Sequence, residues 1–181
     1  TGYYGKTATE AITFGYSVSD LTKASNQISA KDLFTSLPEG TSKGVDCNGS
    51  TYLINMEMLQ YRGAATVATV PYSNLGSCLS SSIQSSWTTE AGKHKIKNYR
   101  IIDDDVFSIK QQIANRIPVI AGFKLSDNFM TWNSANVYSS NTTYNSVGQH
   151  AYHGMTIVGY DDKKGVNGAF KVVNSWGSNW G

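Results

Sequence analysis

Helical and extended periodicities divide this chain into two halves. In GYYGKTATEAITFGYSV, residues 2–18, the apolar positions Tyr4, Ala8, Ala11 and Ile12 keep a three-to-four spacing. That spacing predicts a helix with Tyr4 and Ala8 toward the core, Lys6 toward solvent and Gly15 as its stop. Ser29, followed three residues on by Asp32, has the form of a capping box opening a second helix, which Pro38-Glu39-Gly40 would break. The clearest helix is STYLINMEMLQYRG, 50–63. Leu53, Met56, Leu59 and Tyr61 keep near-helical spacing there, and Gly63 sits at the left-handed cap position. KIKNYRII, 95–102, alternates as a strand should. Asp104 is placed to cap a helix over 106–116 that carries Phe107, Ile109 and Ile113, with Ile117 just beyond. Residues 117–123 read as a buried strand. Two more strands are expected at 155–160 and 169–174, separated by the turn-rich DDKKGVNG. The expected layout is α+β, with a helical lobe over 1–90 and a β-rich lobe over 91–181.

Composition narrows the class. With 40% apolar and 15% charged residues, the 181-residue chain belongs with folded rather than disordered sequences. A net charge of +2 offers no basic stripe for nucleic acid, and no apolar run reaches membrane-spanning length. Gly5-Lys6-Thr7 mimics the end of a phosphate-binding loop. Such a loop needs four residues between its first Gly and the Gly-Lys pair, whereas two separate Gly2 from Gly5. The two cysteines, Cys47 and Cys78, lie in loop-like sequence. They are two buried thiols or one disulfide formed in an oxidising compartment, and the Gly/Ser/Asn-rich surroundings favour the disulfide.

Three histidines are the candidates for chemistry. His94, in KHKIK, reads as a solvated surface residue. His150 and His153 stand three apart in GQHAYHGMTIVGY, but no acidic or thiol ligand accompanies them, so no metal or other cofactor is expected. The stretch from His153, HGMTIVGYDD, is followed by AFKVVNSWGSNWG. Together they closely resemble the C-terminal signature of the papain-like cysteine peptidases. The matching residues are His153, Gly154, Met155, Val158, Gly159 and Tyr160, then Asn174, Ser175, Trp176, Gly177, Trp180 and Gly181.

That resemblance implies a two-lobed fold, with a helical left lobe, an antiparallel barrel-like right lobe and a cleft between them. It also implies peptide-bond hydrolysis by a Cys-His-Asn constellation. A thiolate nucleophile needs an imidazolium partner, and the imidazole needs a third group to fix its ring. By resemblance His153 is the base and Asn174 its orienter, while Trp176 covers the bond between them and Trp180 supports the site. VDCNGS resembles the family's GCxGG turn, which puts Cys47, Asn48, Gly49 and Ser50 in the wall of the main specificity pocket. Ser50 departs from the pattern's second Gly. Thr51 and Gly154 would line the same pocket, and Tyr152 would stand near its mouth. VPYSNLGSC matches a family stretch with a following Cys, implying a Cys47–Cys78 bridge, and ISAKDL resembles the family's LSEQEL.

The family's nucleophile motif has no counterpart in these 181 residues. Counting back from ISAKDL without gaps lands on Gly5, which would make the protein a pseudopeptidase kept as a binding or structural module. Bacterial members, however, read like C-x-A-x-A-x-G-Y-Y-x-K-T. Against that pattern TGYYGKT is the second helical turn and the Cys lies a few residues ahead of Thr1, the placement favoured here. The implied partners are a peptide or protein substrate and a pro-segment or inhibitor in the cleft. The implied location is extracellular, cell-surface or periplasmic, in a bacterial-type member.

Overall fold

Gly2–Phe14 form α1, which ends where Gly15 takes φ 67°, as its position in the sequence predicts. The computed structural model describes residues 2–37, 50–72, 83–140, 152–177 and 179–181. These fall into two units, Gly2–Ile101 and Ile102–Gly181. Cys47, Asn48, Gly49, Cys78, His150 and the Pro38-Glu39-Gly40 break lie outside the described residues.

In the N-terminal unit α1 buries a different face from the one its apolar spacing suggests. Gly2, Gly5, Lys6 and Glu10 are buried, while Tyr4 and Ala8 are half-buried. A Cβ at Gly2 would stand 3.3 Å from Met56 Cε and 3.4 Å from Leu33 Cδ2, so the bare backbone is what lets the neighbouring side chains approach. Lys6 does not reach solvent because Glu10, one turn on, holds its ammonium at 2.8 Å. A short α2, Val18–Leu21, has the full capping box, made by Ser17 and Asp20.

In α3, Ala30–Thr35, only half of the expected box forms. Ser29 Oγ accepts from Asp32 N at 3.2 Å, but the Asp32 carboxylate turns inward. It takes both Arg62 guanidinium nitrogens, at 2.7 and 2.9 Å, and the Ala65 N–H at 2.7 Å. A buried cation offers a carboxylate more than one backbone amide does, so the box loses. In α4, Tyr52–Tyr61, Thr51 is the cap and Leu59 is fully buried, whereas Leu53 and Tyr61 are exposed. Leu59 joins Ile28, Leu33 and Ala64 in one core cluster. Trp87 and Ala91 of α5, Ser85–Ala91, join Ala65 and Val70 in another. Residues 95–102 form no strand. Ile96 N donates to Leu59 O at 3.1 Å and Gln60 Nε2 to Lys97 O at 3.1 Å, so this alternating run lies along α4.

Among its described residues, the C-terminal unit has a three-stranded antiparallel sheet with one covering helix. That helix, α6, spans Val106–Ala114. Its cap is Asp105 rather than Asp104, accepting from Ser108 N at 2.8 Å, because Asp105 is the residue immediately ahead of the first helical turn. Of the apolar residues that recur along this stretch, Phe107 and Ile117 are exposed, while Gln112 is buried. The strands are β1 (Val119–Lys124), β2 (Tyr152–Asp161) and β3 (Ala169–Val173), in the order β1-β2-β3. β1 and β2 pair without interruption, Gly122 opposite Gly154 and Phe123 opposite His153. β2 and β3 pair in two registers, separated by a bulge between Ile157 and Gly159. On β2, Met155, Thr156 and Ile157 are all buried, so both faces of the strand are covered at its middle. Met155 packs into a cluster with Leu125 and Phe129, flanked by Phe123, Tyr138, Val172, Trp176 and Trp180.

Candidate active site

His153 stands near the start of β2 and Asn174 directly follows β3, so the antiparallel pairing fixes their separation. Thr156 pairs with Val173. Continuing that register sets Asn174 beside Met155 and Trp176 beside His153. The side chains meet accordingly: His153 Nε2 and Asn174 Oδ1 are 2.7 Å apart, and the His153 and Trp176 rings lie 4.7 Å apart at 30°.

The amide orientation also fixes the tautomer of His153. Asn174 Oδ1 accepts a second hydrogen bond, from Ser175 N at 2.8 Å. A backbone N–H must face an acceptor, so the atom there is the oxygen and not the NH2. His153 Nε2 must then carry the proton and donate it, leaving Nδ1 as the nitrogen free to take or give a proton elsewhere. Asn174 is half-buried, and its Nδ2 has no hydrogen-bond partner among the described residues.

Trp176 is held over this pair by an aromatic cluster that contains the expected Trp180 together with Phe129, Tyr138 and Trp132, which no sequence expectation included. Phe129, on the 3₁₀ turn Asp127–Phe129, meets Trp176 edge-on at 5.7 Å and Trp180 at a tilt of 54° at 4.8 Å. Trp176 and Trp180 are themselves perpendicular at 5.2 Å. Trp180 Nε1 donates to Phe129 O at 3.1 Å, which satisfies its indole N–H. Tyr138 stacks edge-on against Phe129 and Trp132, and its hydroxyl bonds Asn128 Oδ1 at 3.0 Å and Ser126 Oγ. No sequence motif marks Phe129 or Tyr138. The only signal was their aromatic character in a stretch with no strand or helix period.

Among the expected site residues, the structure therefore brings together His153, Asn174, Trp176 and Trp180. Tyr152 opens β2 and is exposed, and Gly154 is half-buried opposite exposed Gly122. Ser50, in the N-terminal unit, is exposed ahead of α4, and its Oγ accepts from Asn55 Nδ2 at 2.7 Å. His94 is not the solvated residue its basic surroundings suggest, being half-buried between Glu10 and Glu90. Among the described residues no group of three or more His, Cys, Asp or Glu side chains could hold a metal ion.

The architecture is papain-like. It superposes on xylellain, a cysteine protease from Xylella fastidiosa, with a TM-score of 0.76 and 20% identity, over 99% of this chain and 68% of that one. Residues 5–181 match the family described as papain family cysteine protease, and the chain belongs to that family. Peptidase 1 of Dermatophagoides pteronyssinus is 30% identical over 139 residues, and Peptidase 1 of Euroglyphus maynei 29%. The match covers 75% of this chain and 40% of each of those proteins, so the chain spans well under two thirds of the relatives it resembles.

Proposed function

We propose that this domain hydrolyses peptide bonds by covalent cysteine catalysis, with His153 as the acid–base residue and Asn174 as its orienter. The observation that carries this reading is the His153–Asn174 bond under Trp176, with Nδ1 left as the working nitrogen. In that chemistry His153 Nδ1 takes the thiol proton, and the thiolate attacks the scissile carbonyl. The imidazolium then gives its proton to the leaving amine as the C–N bond breaks, which leaves a thioester. Water, deprotonated by the same nitrogen, hydrolyses the thioester and regenerates the thiol. Trp176 keeps water from the His153–Asn174 bond, so that bond acts at low dielectric.

The thiol is assigned to a Cys encoded ahead of Thr1, not to Cys47 or Cys78, which the family resemblance puts in the pocket loop and in a disulfide. The substrate is a peptide or protein. Its side chain two residues upstream of the cut is apolar and fits against the bare backbone of Gly154 and its cross-strand partner Gly122. A pro-segment or inhibitor would occupy the same track. A Cys47–Cys78 bridge would suit a secreted protein, and a mass measurement with and without reductant tests it.

Treating the full-length protein with a thiol-directed epoxide is the experiment for the catalytic assignment. Adduct formation at a Cys upstream of Thr1, abolished in His153→Ala, supports it. No adduct at any Cys would leave the binding module as the correct reading.

A further inference from the structure

Within the N-terminal unit, His94 and four other charged side chains form a chain that shares no residue with the site just described. Lys6 Nζ and Glu10 Oε1 are 2.8 Å apart, both side chains being under a tenth exposed. Glu10 Oε1 is 2.9 Å from His94 Nδ1, and His94 Nε2 is 3.3 Å from Glu90 Oε1. Glu90 Oε2 ends the chain at Lys93 Nζ, 2.9 Å away. The cluster joins α1, through Lys6 and Glu10, to α5 and the turn after it, through Glu90, Lys93 and His94. From the turn after α4 the neighbour is backbone. Gly63, at φ 84°, sits so close that a Cβ there would be 3.2 Å from the His94 carbonyl carbon, and Arg62 beside it is bound to Asp32. Lys95 and Lys97 are exposed.

The two ring contacts can both be hydrogen bonds in only one protonation state. Ionised carboxylates only accept, so each ring nitrogen must carry a proton, and a neutral imidazole has one. On losing its second proton, His94 turns one contact into a meeting of lone pairs. If that contact is the one to Glu10, the buried carboxylate keeps Lys6 alone among the described residues, where its Oε2 has no partner. A buried carboxylate stripped of donors is costly.

We propose that His94 is a pH-operated clamp between α1 and the turn after α5, closed as the imidazolium and open as the neutral ring. The direction of its titration agrees. The hydrogen bond to Glu10 raises the His94 pKa above the usual 6.5, outweighing the effect of burial. Burial alone would raise the pKa of Glu10, but the bonds from His94 and Lys6 bring it below 4.5. Glu90 is lowered chiefly by Lys93. For a group raised on folding, the stabilisation is complete below the unfolded value and lost as pH climbs through the folded one. For the two carboxylates it is complete above 4.5 and lost on acidification. The clamp therefore contributes fully between about pH 4.5 and 6.5, and opens on the alkaline side as His94 deprotonates.

The test is hydrogen exchange of α1 amides in the full-length protein at pH 5.5 and 8.5, corrected for intrinsic exchange, in wild type and His94→Gln. Gln offers one donating nitrogen and one accepting oxygen, as neutral histidine offers one donating and one accepting nitrogen, and it cannot donate from both ends. Wild type should lose about tenfold protection of α1 at the higher pH, the scale of one hydrogen bond to a charged group. His94→Gln should show the lower protection at both. Equal pH dependence in the two proteins, or none in wild type, would overturn the clamp. Should His94→Gln fail to fold, the His94 resonance in wild type decides. Titration above 6.5 that falls in Glu90→Gln supports the proposal, and titration at or below 6.5 defeats it.

Discussion

Replacing Asp32 with Asn changes one atom type in a fully buried position and should be among the most damaging substitutions in the N-terminal unit. The carboxylate has three donors around it: two from Arg62, at 2.7 and 2.9 Å, and the Ala65 N–H at 2.7 Å. The Asn amide keeps one oxygen to share among them, and its NH2 then points at another donor. Arg62 has only a tenth of its side chain exposed, so its charge is left buried without a counterpart. Breaking a buried pair from one side costs about 3–5 kcal/mol, against a total of about 5–15 for a typical domain. With a urea m-value of about 2 kcal/mol/M, that is a midpoint shift of roughly 1.5–2.5 M in denaturation followed by circular dichroism. The double variant Asp32→Leu with Arg62→Met removes both charges. It should retain only the cost of the orphaned Ala65 N–H, about 1–3 kcal/mol. A shift below roughly 0.5 M for Asp32→Asn, or a double variant as unstable as the single one, would mean that the buried pair does not carry this stability.

Three further outcomes follow from the site and its scaffold. Asn174→Ala removes the acceptor 2.7 Å from His153 Nε2 and should lower kcat about 10- to 100-fold with little change in KM, measured on a fluorogenic peptide. Gly154→Val fills the bare patch opposite Gly122. It should lower kcat/KM for a bulky upstream side chain far more than for alanine there, as a panel of peptides would register. Gly63→Ala puts a Cβ 1.9 Å from Ala91 O at φ 84°, so it should cost more than about 2 kcal/mol and lower Tm by at least roughly 4–8 °C, read by calorimetry.

The C-terminal strands and the His153–Asn174 pair were legible because chemistry and periodicity coincide there. An apolar run bounded by turns defines each strand, and antiparallel pairing of two such strands brings their polar flanks together. The α1 face was misread because apolar spacing is silent when the buried stripe is made of Gly2, Gly5 and an ion pair. Lys6 and Glu10 show as core only once His94, more than eighty residues away, is seen to complete their pairing. KIKNYRII alternates as a strand does, but alternation records only which side chains turn inward. The donors and acceptors of α4 took up that backbone instead. Asp32 looked like a cap partner because the local motif is complete, and lost that role to Arg62, thirty residues on. In each case a long-range polar partner overrode a local pattern.

The bulge in β2 bears on how freely the loops of this unit can change. On its far side, toward Tyr160 and Phe170, the strands keep one phase; on its near side, toward Thr156 and Val173, they keep another, displaced by a residue. The half of the hairpin that sets Asn174 against His153 is thus out of step with the half that holds the 162–168 turn. A residue gained or lost in that turn can be taken up by sliding the distal pairing, leaving the proximal pairing where it is. The turn is in that sense insulated, a place where length and composition can drift, or a foreign segment be grafted, without retuning the histidine.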